Sequence, residues 1–150
     1  MRVLALDIGE RRIGIAVSDP RGAIASPVCV LPAADVLANA PSWRRVLEDW
    51  EPELLVCGLP LTLGGEEGPQ AVDISGKARA IAARCALPLE FCDERLSSAE
   101  AKRILHEQGL SEKDMRGKVD MVAASLILES WLESKERAEG SHDEKDVSHG

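Results

Sequence analysis

The chain lacks any run of about 18 apolar residues, so it offers no membrane-spanning helix. Its opening Met-Arg-Val is too short and too quickly acidic for a secretory signal. Cysteines are few, at positions 29, 57, 85 and 92, and no two form a C-x-x-C pair. That spacing speaks against a zinc or redox motif. Cys57 and Cys92 sit in apolar runs and read as small core residues, in keeping with a reducing cytoplasm. The Gly/Pro-rich stretch at 58–69 has no Walker spacing and no Lys-Ser/Thr, which excludes a P-loop. A basic excess is missing too. The formal net charge is −8, and it stays negative once residues 135–150 are set aside. Any nucleic-acid partner must therefore be held by a local basic patch.

What is present is an ordinary globular composition, with 45% apolar and 29% charged residues in a chain of 150. That suits one domain with a real core. Arg2-Val-Leu-Ala-Leu-Asp7-Ile-Gly9 followed by Arg12-Ile-Gly14-Ile-Ala-Val-Ser-Asp19 reads as a β-hairpin, with its turn at Gly9-Glu-Arg-Arg12. Gly14 thins the second strand. Alternation puts Val3, Ala5 and Asp7 on one face and Leu4, Leu6 and Ile8 on the other. Both faces are otherwise apolar, as in a central strand covered on both sides. A carboxylate in that place needs a partner, unless it merely caps a turn at the strand end.

A third strand is expected over 23–31, at an edge because of Pro27, and then a connector over 32–39. Trp43, Val46, Leu47 and Trp50 recur at helical spacing behind Pro41, so an amphipathic helix follows, its tryptophans packed on a sheet. Glu53-Leu-Leu-Val-Cys57 is a buried strand, and with the third strand and the helix it resembles a β-α-β crossover, implying a parallel pair. The loop at 58–68 comes next, where ligands of open α/β sheets tend to bind. A helix over 70–85 and a strand over 88–92 lead to Asp93-Glu94-Arg95. Ser97 with Glu100 forms a capping box for a helix to about 108, stopped by Gly109. After a polar loop, an apolar helix from Lys118 to Leu132 carries Asp120 inward in its first turn, where the helix dipole favours it. Residues 136–150 read as a disordered polar tail, with His142 and His149 as solvated bystanders and His106 on a helix surface.

Acids thus mark the ends of two strands and the start of the last helix. If the two strands are neighbours in one sheet and the helix packs across it, the carboxylates converge. Two bare carboxylates about 4 Å apart repel by roughly 4 kcal/mol at an effective dielectric near 20, so such a cluster requires a proton, a basic residue or a metal. Oxygen ligands without Cys or His favour Mg2+ or Mn2+. Two such ions can activate a water and stabilise the leaving oxygen in phosphodiester hydrolysis. Three unrelated strand-end and cap acids would give the same letters.

Leu6-Asp-Ile-Gly9 with Arg12-Ile-Gly-Ile-Ala-Val17, Gly58-Leu-Pro60 with Gly65, Asp93-Glu-Arg-Leu-Ser97 with Glu100-Ala101, and Lys118-Val-Asp120 with Ala123-Ala124 occur in order over about 1–134. This set resembles the YqgF/RuvX family. The resemblance implies an α/β, ribonuclease H-like fold: a five-stranded mixed sheet, first three strands antiparallel, with helices on both faces, forming a nuclease domain over 1–135. It implies a metal-dependent nuclease that matures the 5′ end of small-subunit ribosomal RNA, with precursor rRNA, in the ribosomal particle or free of it, as partner. Carried over by position, Asp7, Glu94 and Asp120 hold Mg2+ or Mn2+, and Asp93 is a fourth ligand or orients one. Alternation alone does not choose between Asp93 and Glu94. Arg12, Arg95, Lys102, Arg103, Arg116 and Lys118 are the candidate phosphate contacts beside the reading of ordinary surface charge, and Arg95 could instead pair with a neighbouring acid. The loop at 58–68 would gate the groove.

Other readings are a Holliday-junction resolvase, which needs a stable two-fold dimer where the nuclease reading expects a monomer or weak homodimer, and a non-catalytic RNA- or ribosome-binding module, which the acidic body weakens. An ATPase of the actin/sugar-kinase type also places Asp-x-Gly after a strand, but it needs two such domains.

Overall fold

The first two strands owe their place to an unbroken apolar run. β1 (Val3–Ile8) is buried along its whole length, and β2 (Arg12–Ser18) is buried everywhere after Arg12. They form the expected hairpin, pairing Leu4 with Val17 through to Ile8 with Ile13. The turn is closed by the Gly9 N–H donating to the Arg12 carbonyl at 2.9 Å. The structure is a computed structural model. It describes residues 1–61, 64–93, 97–111, 113 and 117–149, and for 97–100, 102 and 139–149 it describes the backbone alone.

β3 (Ala25–Pro32) pairs antiparallel with β2 and lies at the sheet edge, where Pro27 costs no ladder bond that a neighbour needs. Between β3 and the next helix the chain does not merely connect. Ala33–Leu37 makes a short helix, α1, which buries Ala33 and Val36. α2 (Pro41–Trp50) has Pro41 in its first turn and drives Trp43 into the core at 1% exposure. β4 (Leu54–Leu59), α3 (Pro69–Cys85) and β5 (Leu89–Asp93) follow, then α4 (Ser97–Glu107) and α5 (Val119–His149).

The sheet order is β3-β2-β1-β4-β5. Its first three strands are antiparallel, and β4 and β5 then add parallel on the other side of β1. Two expectations change here. The crossover through α1 and α2 does not pair its own flanking strands: β4 passes β3 and β2 and pairs with β1, whose second edge the hairpin leaves open. Likewise β1 and β5 are not neighbours, since β4 lies between them. Two strand spacings, roughly 10 Å, separate the chain ends that carry Asp7 and Asp93.

Each face of the sheet carries its own core. Leu4, Leu6, Ile13, Ile15, Leu55 and Cys57 pack with residues of α1, α2 and α3. Val3, Ala5, Ala16, Val56 and Cys92 pack on the other side with Ala124, Ile127, Leu128 and Trp131 of α5. α4 packs on α5 through its buried Ala101 and Leu105. The apolar face of α5 ends near Leu132, but its backbone continues helical through the segment expected to be a disordered tail. No helix among the described residues is long and apolar enough to cross a membrane.

Candidate active site

Asp7 is the last residue but one of β1, and its alternation with Val3 and Ala5 sends it to the α5 face of the sheet. It is 8% exposed, the one buried carboxylate among the described residues. Its ladder partner on β2 is Gly14. A Cβ built on Gly14 would overlap the Asp120 carbonyl and come 2.7 Å from the Met121 nitrogen. Glycine is therefore what lets the start of α5 lie on the sheet at this point. One position thus joins two distant acids. Asp7 stands beside Gly14 along the ladder, and Asp120 stands over it.

On the other side of Asp7, β4 reaches Gly58, one residue past the last β1–β4 pair, and Gly58 in turn pairs with Cys92. β4 thus adds no side chain at this level, and the sheet is bare on either side of the Asp7 carboxylate. Gly58 and Leu59, expected in the loop, are the last residues of β4, and residues 62 and 63 of the loop lie outside the described ones.

Asp120 occupies the first turn of α5. Burial pushes its carboxyl above the ordinary 3.8, while the Arg12 guanidinium pulls the other way. Arg12 Nε stands 3.5 Å from Asp120 Oδ2, with the arginine side chain 55% and the aspartate 27% exposed. Arg12 belongs to the hairpin end, on the same face as Gly14. A strand end, a helix start and a cation from the turn between two strands therefore meet.

Asp93 falls elsewhere. It pairs with Leu59, whose side chain belongs to the α1–α3 core, so it lies in phase with Leu89 and Phe91 on the face away from Asp7. Glu90 and Cys92 take the α5 face. Trp131 Nε1 donates to Glu90 Oε1 at 3.4 Å, and Cys92 Sγ lies 3.8 Å from the Ile127 carbonyl. Glu94, Arg95 and Arg116 lie outside the described residues, as does the side chain of Lys102. Lys118 is exposed two residues before Asp120. Arg103 is exposed and holds Glu107 at 2.8 Å one turn on.

Among the described residues no three His, Cys, Asp or Glu side chains form a metal group. Two are brought to one position, Asp7 beside Gly14 and Asp120 over it, and their chemistry fits a hard divalent cation: both are carboxylates, one buried and the other partly desolvated. The role of Gly14 was the feature the letters did not reveal. Its signal, a glycine inside an otherwise apolar strand opposite an acid, reads from sequence only as a weak point in that strand.

A family model described as RuvX, Holliday junction resolvase, matches residues 1–134. A relative from Anaeromyxobacter sp. (strain Fw109-5) is 40% identical over 135 residues, covering 90% of this chain and 98% of its own. Another, from Chloroflexus aggregans, is 39% identical over 133 residues, covering 89% and 94%. Both are named "Putative pre-16S rRNA nuclease". Among solved structures, Thermus thermophilus RuvC in complex with a Holliday junction substrate superposes with a TM-score of 0.52 at 15% identity, covering 90% of this chain and 95% of that one. Fowlpox virus resolvase with Holliday junction DNA gives 0.52 at 13%, covering 89% and 98%. At these identities the two structures speak for the fold, which is ribonuclease H-like.

Proposed function

This chain belongs to the RuvX family, a family of nucleases, and from that premise we propose that it hydrolyses precursor 16S ribosomal RNA at the Asp7–Asp120 site. The observation that carries the reading is the shared contact with Gly14, which gives a buried strand-end carboxylate and a helix-start carboxylate a common location.

Asp7, Asp120 and Glu94 are the residues we assign to hold Mg2+ or Mn2+. Of Asp93 and Glu94, Glu94 is preferred because Asp93, in register with Leu59, is turned to the face away from Asp7. Divalent cations held by these carboxylates would supply an activated water and offset charge on the departing oxygen. The remaining work falls to the protein. β1 fixes Asp7 through its ladder to β2, so this carboxylate is preorganised by the sheet and not by a loop. α5 fixes Asp120 through its packing on β1 and β2. Arg12 pairs with Asp120, Lys118 is exposed two residues before it, and with Arg95, Lys102, Arg103 and Arg116 they are proposed to contact phosphates, offsetting locally the charge of an acidic body. The nuclease domain is assigned to 1–135, acting in the cytoplasm as a monomer or weak homodimer, and residues 136–150 are given no part in cleavage.

The family description also names Holliday-junction resolution, so the test compares the two substrates directly. The protein is incubated in Mn2+ with a precursor 16S rRNA leader and with a four-way DNA junction at equal concentration. Cleavage of the leader at a defined position, with the junction spared, is the expected result. Symmetric cutting of the junction with an intact leader would overturn the substrate assignment.

A further inference from the structure

The proposed site already contains a cation of its own. We propose that Arg12 is a stand-in counter-ion, resting on Asp120 until a divalent cation binds and then passing to a phosphate of the substrate. The inference rests on the metal-binding reading above and assigns to one residue two successive partners.

Its backbone cannot supply the movement. Arg12 is tied to Gly9 by the hydrogen bond that closes the hairpin, and it pairs with Pro32 in the sheet. The neighbouring Arg11 carbonyl accepts the Ala33 N–H at 2.8 Å, so the turn is anchored to α1 as well. The side chain, by contrast, is more than half exposed. Its closest approach to Asp120 is through Nε at 3.5 Å, one long contact in place of a two-pronged pair. Among the described residues its terminal nitrogens have no partner, which leaves the planar fork that suits a phosphate available on the solvent side.

The energetics favour a handover. An ion pair this open is weak, whereas leaving the partly desolvated Asp120 carboxylate without positive charge is costly. The Arg12 guanidinium therefore offsets the Asp120 carboxylate without holding it firmly against a doubly charged competitor. Once displaced, Arg12 lies at the rim of the same site, within a side chain's reach of whatever phosphate lies across the acids.

The test is a calorimetric titration of the full chain with MnCl2, without nucleic acid, for wild type, Arg12→Gln and Arg12→Met. Arg12→Met keeps the aliphatic stem and guards against a loss of packing. Because Arg12 competes for Asp120, both variants are expected to bind Mn2+ roughly two- to fivefold more tightly than wild type. The KM for a phosphodiester substrate is expected to rise about tenfold in the same variants, through loss of one charged contact. Mn2+ affinity that is unchanged or weakened would overturn the stand-in role, and an unchanged KM would overturn the handover. Absence of Mn2+ binding by the wild type, with Asp7→Asn alongside as control, would instead defeat the metal-binding reading on which the inference rests.

Discussion

Gly14 lies directly beneath the peptide of Asp120, close enough that no other residue fits between strand and helix. The site depends on that contact, because it fixes where the first turn of α5 meets the sheet.

Gly14→Ala should displace the start of α5. The overlap is with backbone, which cannot rotate away, so a loss of about 1–3 kcal/mol in stability is expected. Activity should fall further than that loss explains, since Asp120 moves with the helix. Chemical denaturation and a cleavage assay at a temperature where both proteins are folded test this together. Full activity in a stably folded Gly14→Ala protein would refute the positioning role.

Asp7→Asn is expected to abolish Mn2+-dependent cleavage while leaving the melting temperature unchanged or slightly raised. The substitution is nearly isosteric and removes a carboxylate that is 8% exposed. Cleavage at the wild-type rate would remove Asp7 from the active site.

Asp120 makes stability depend on pH. Its carboxyl titrates above 3.8 in the folded protein because burial opposes the charge, so the native state binds a proton more tightly than the unfolded chain does. Without divalent cations, stability should therefore decline as pH rises from 3.8 through the folded value. Asp120→Asn lacks this penalty. Its stability relative to wild type should grow across that window and level off above it, as read from denaturation curves at a series of pH values. A difference that shrinks with rising pH would mean that Arg12 outweighs burial.

Removal of residues 136–150 should change cleavage little, since among the described residues the apolar packing of α5 ends at Leu132. A large loss would assign substrate binding to the polar end of α5.

Much of the fold was legible because period and burial coincide. Leu4, Leu6 and Ile8 alternate with Val3, Ala5 and Asp7, and the two cores divide along that alternation. Trp43 and Val46 at helical spacing are both buried on one side of α2. α1 escaped because five residues hold too few turns to show a period, although Ala33 and Val36 are buried. The partner of β4 could not be read from its neighbours in the chain, since pairing with β1 is a matter of which edge is open. The site was half visible. Asp7 and Asp120 each look out of place among apolar residues, but what joins them is a glycine 106 residues before Asp120, and only the folded sheet brings it there. Asp93 shows the reverse: its type and place at a strand end recommend it, and its register with Leu59 turns it to the other face.

The central claim, that Asp7 and Asp120 grip one divalent site, is tested most directly by crystals of the full chain soaked in MnCl2 and measured near the manganese absorption edge. Anomalous density touching both carboxylates is the predicted result. Ordered Asp7 and Asp120 side chains with no manganese between them, at a concentration that supports cleavage, would contradict it.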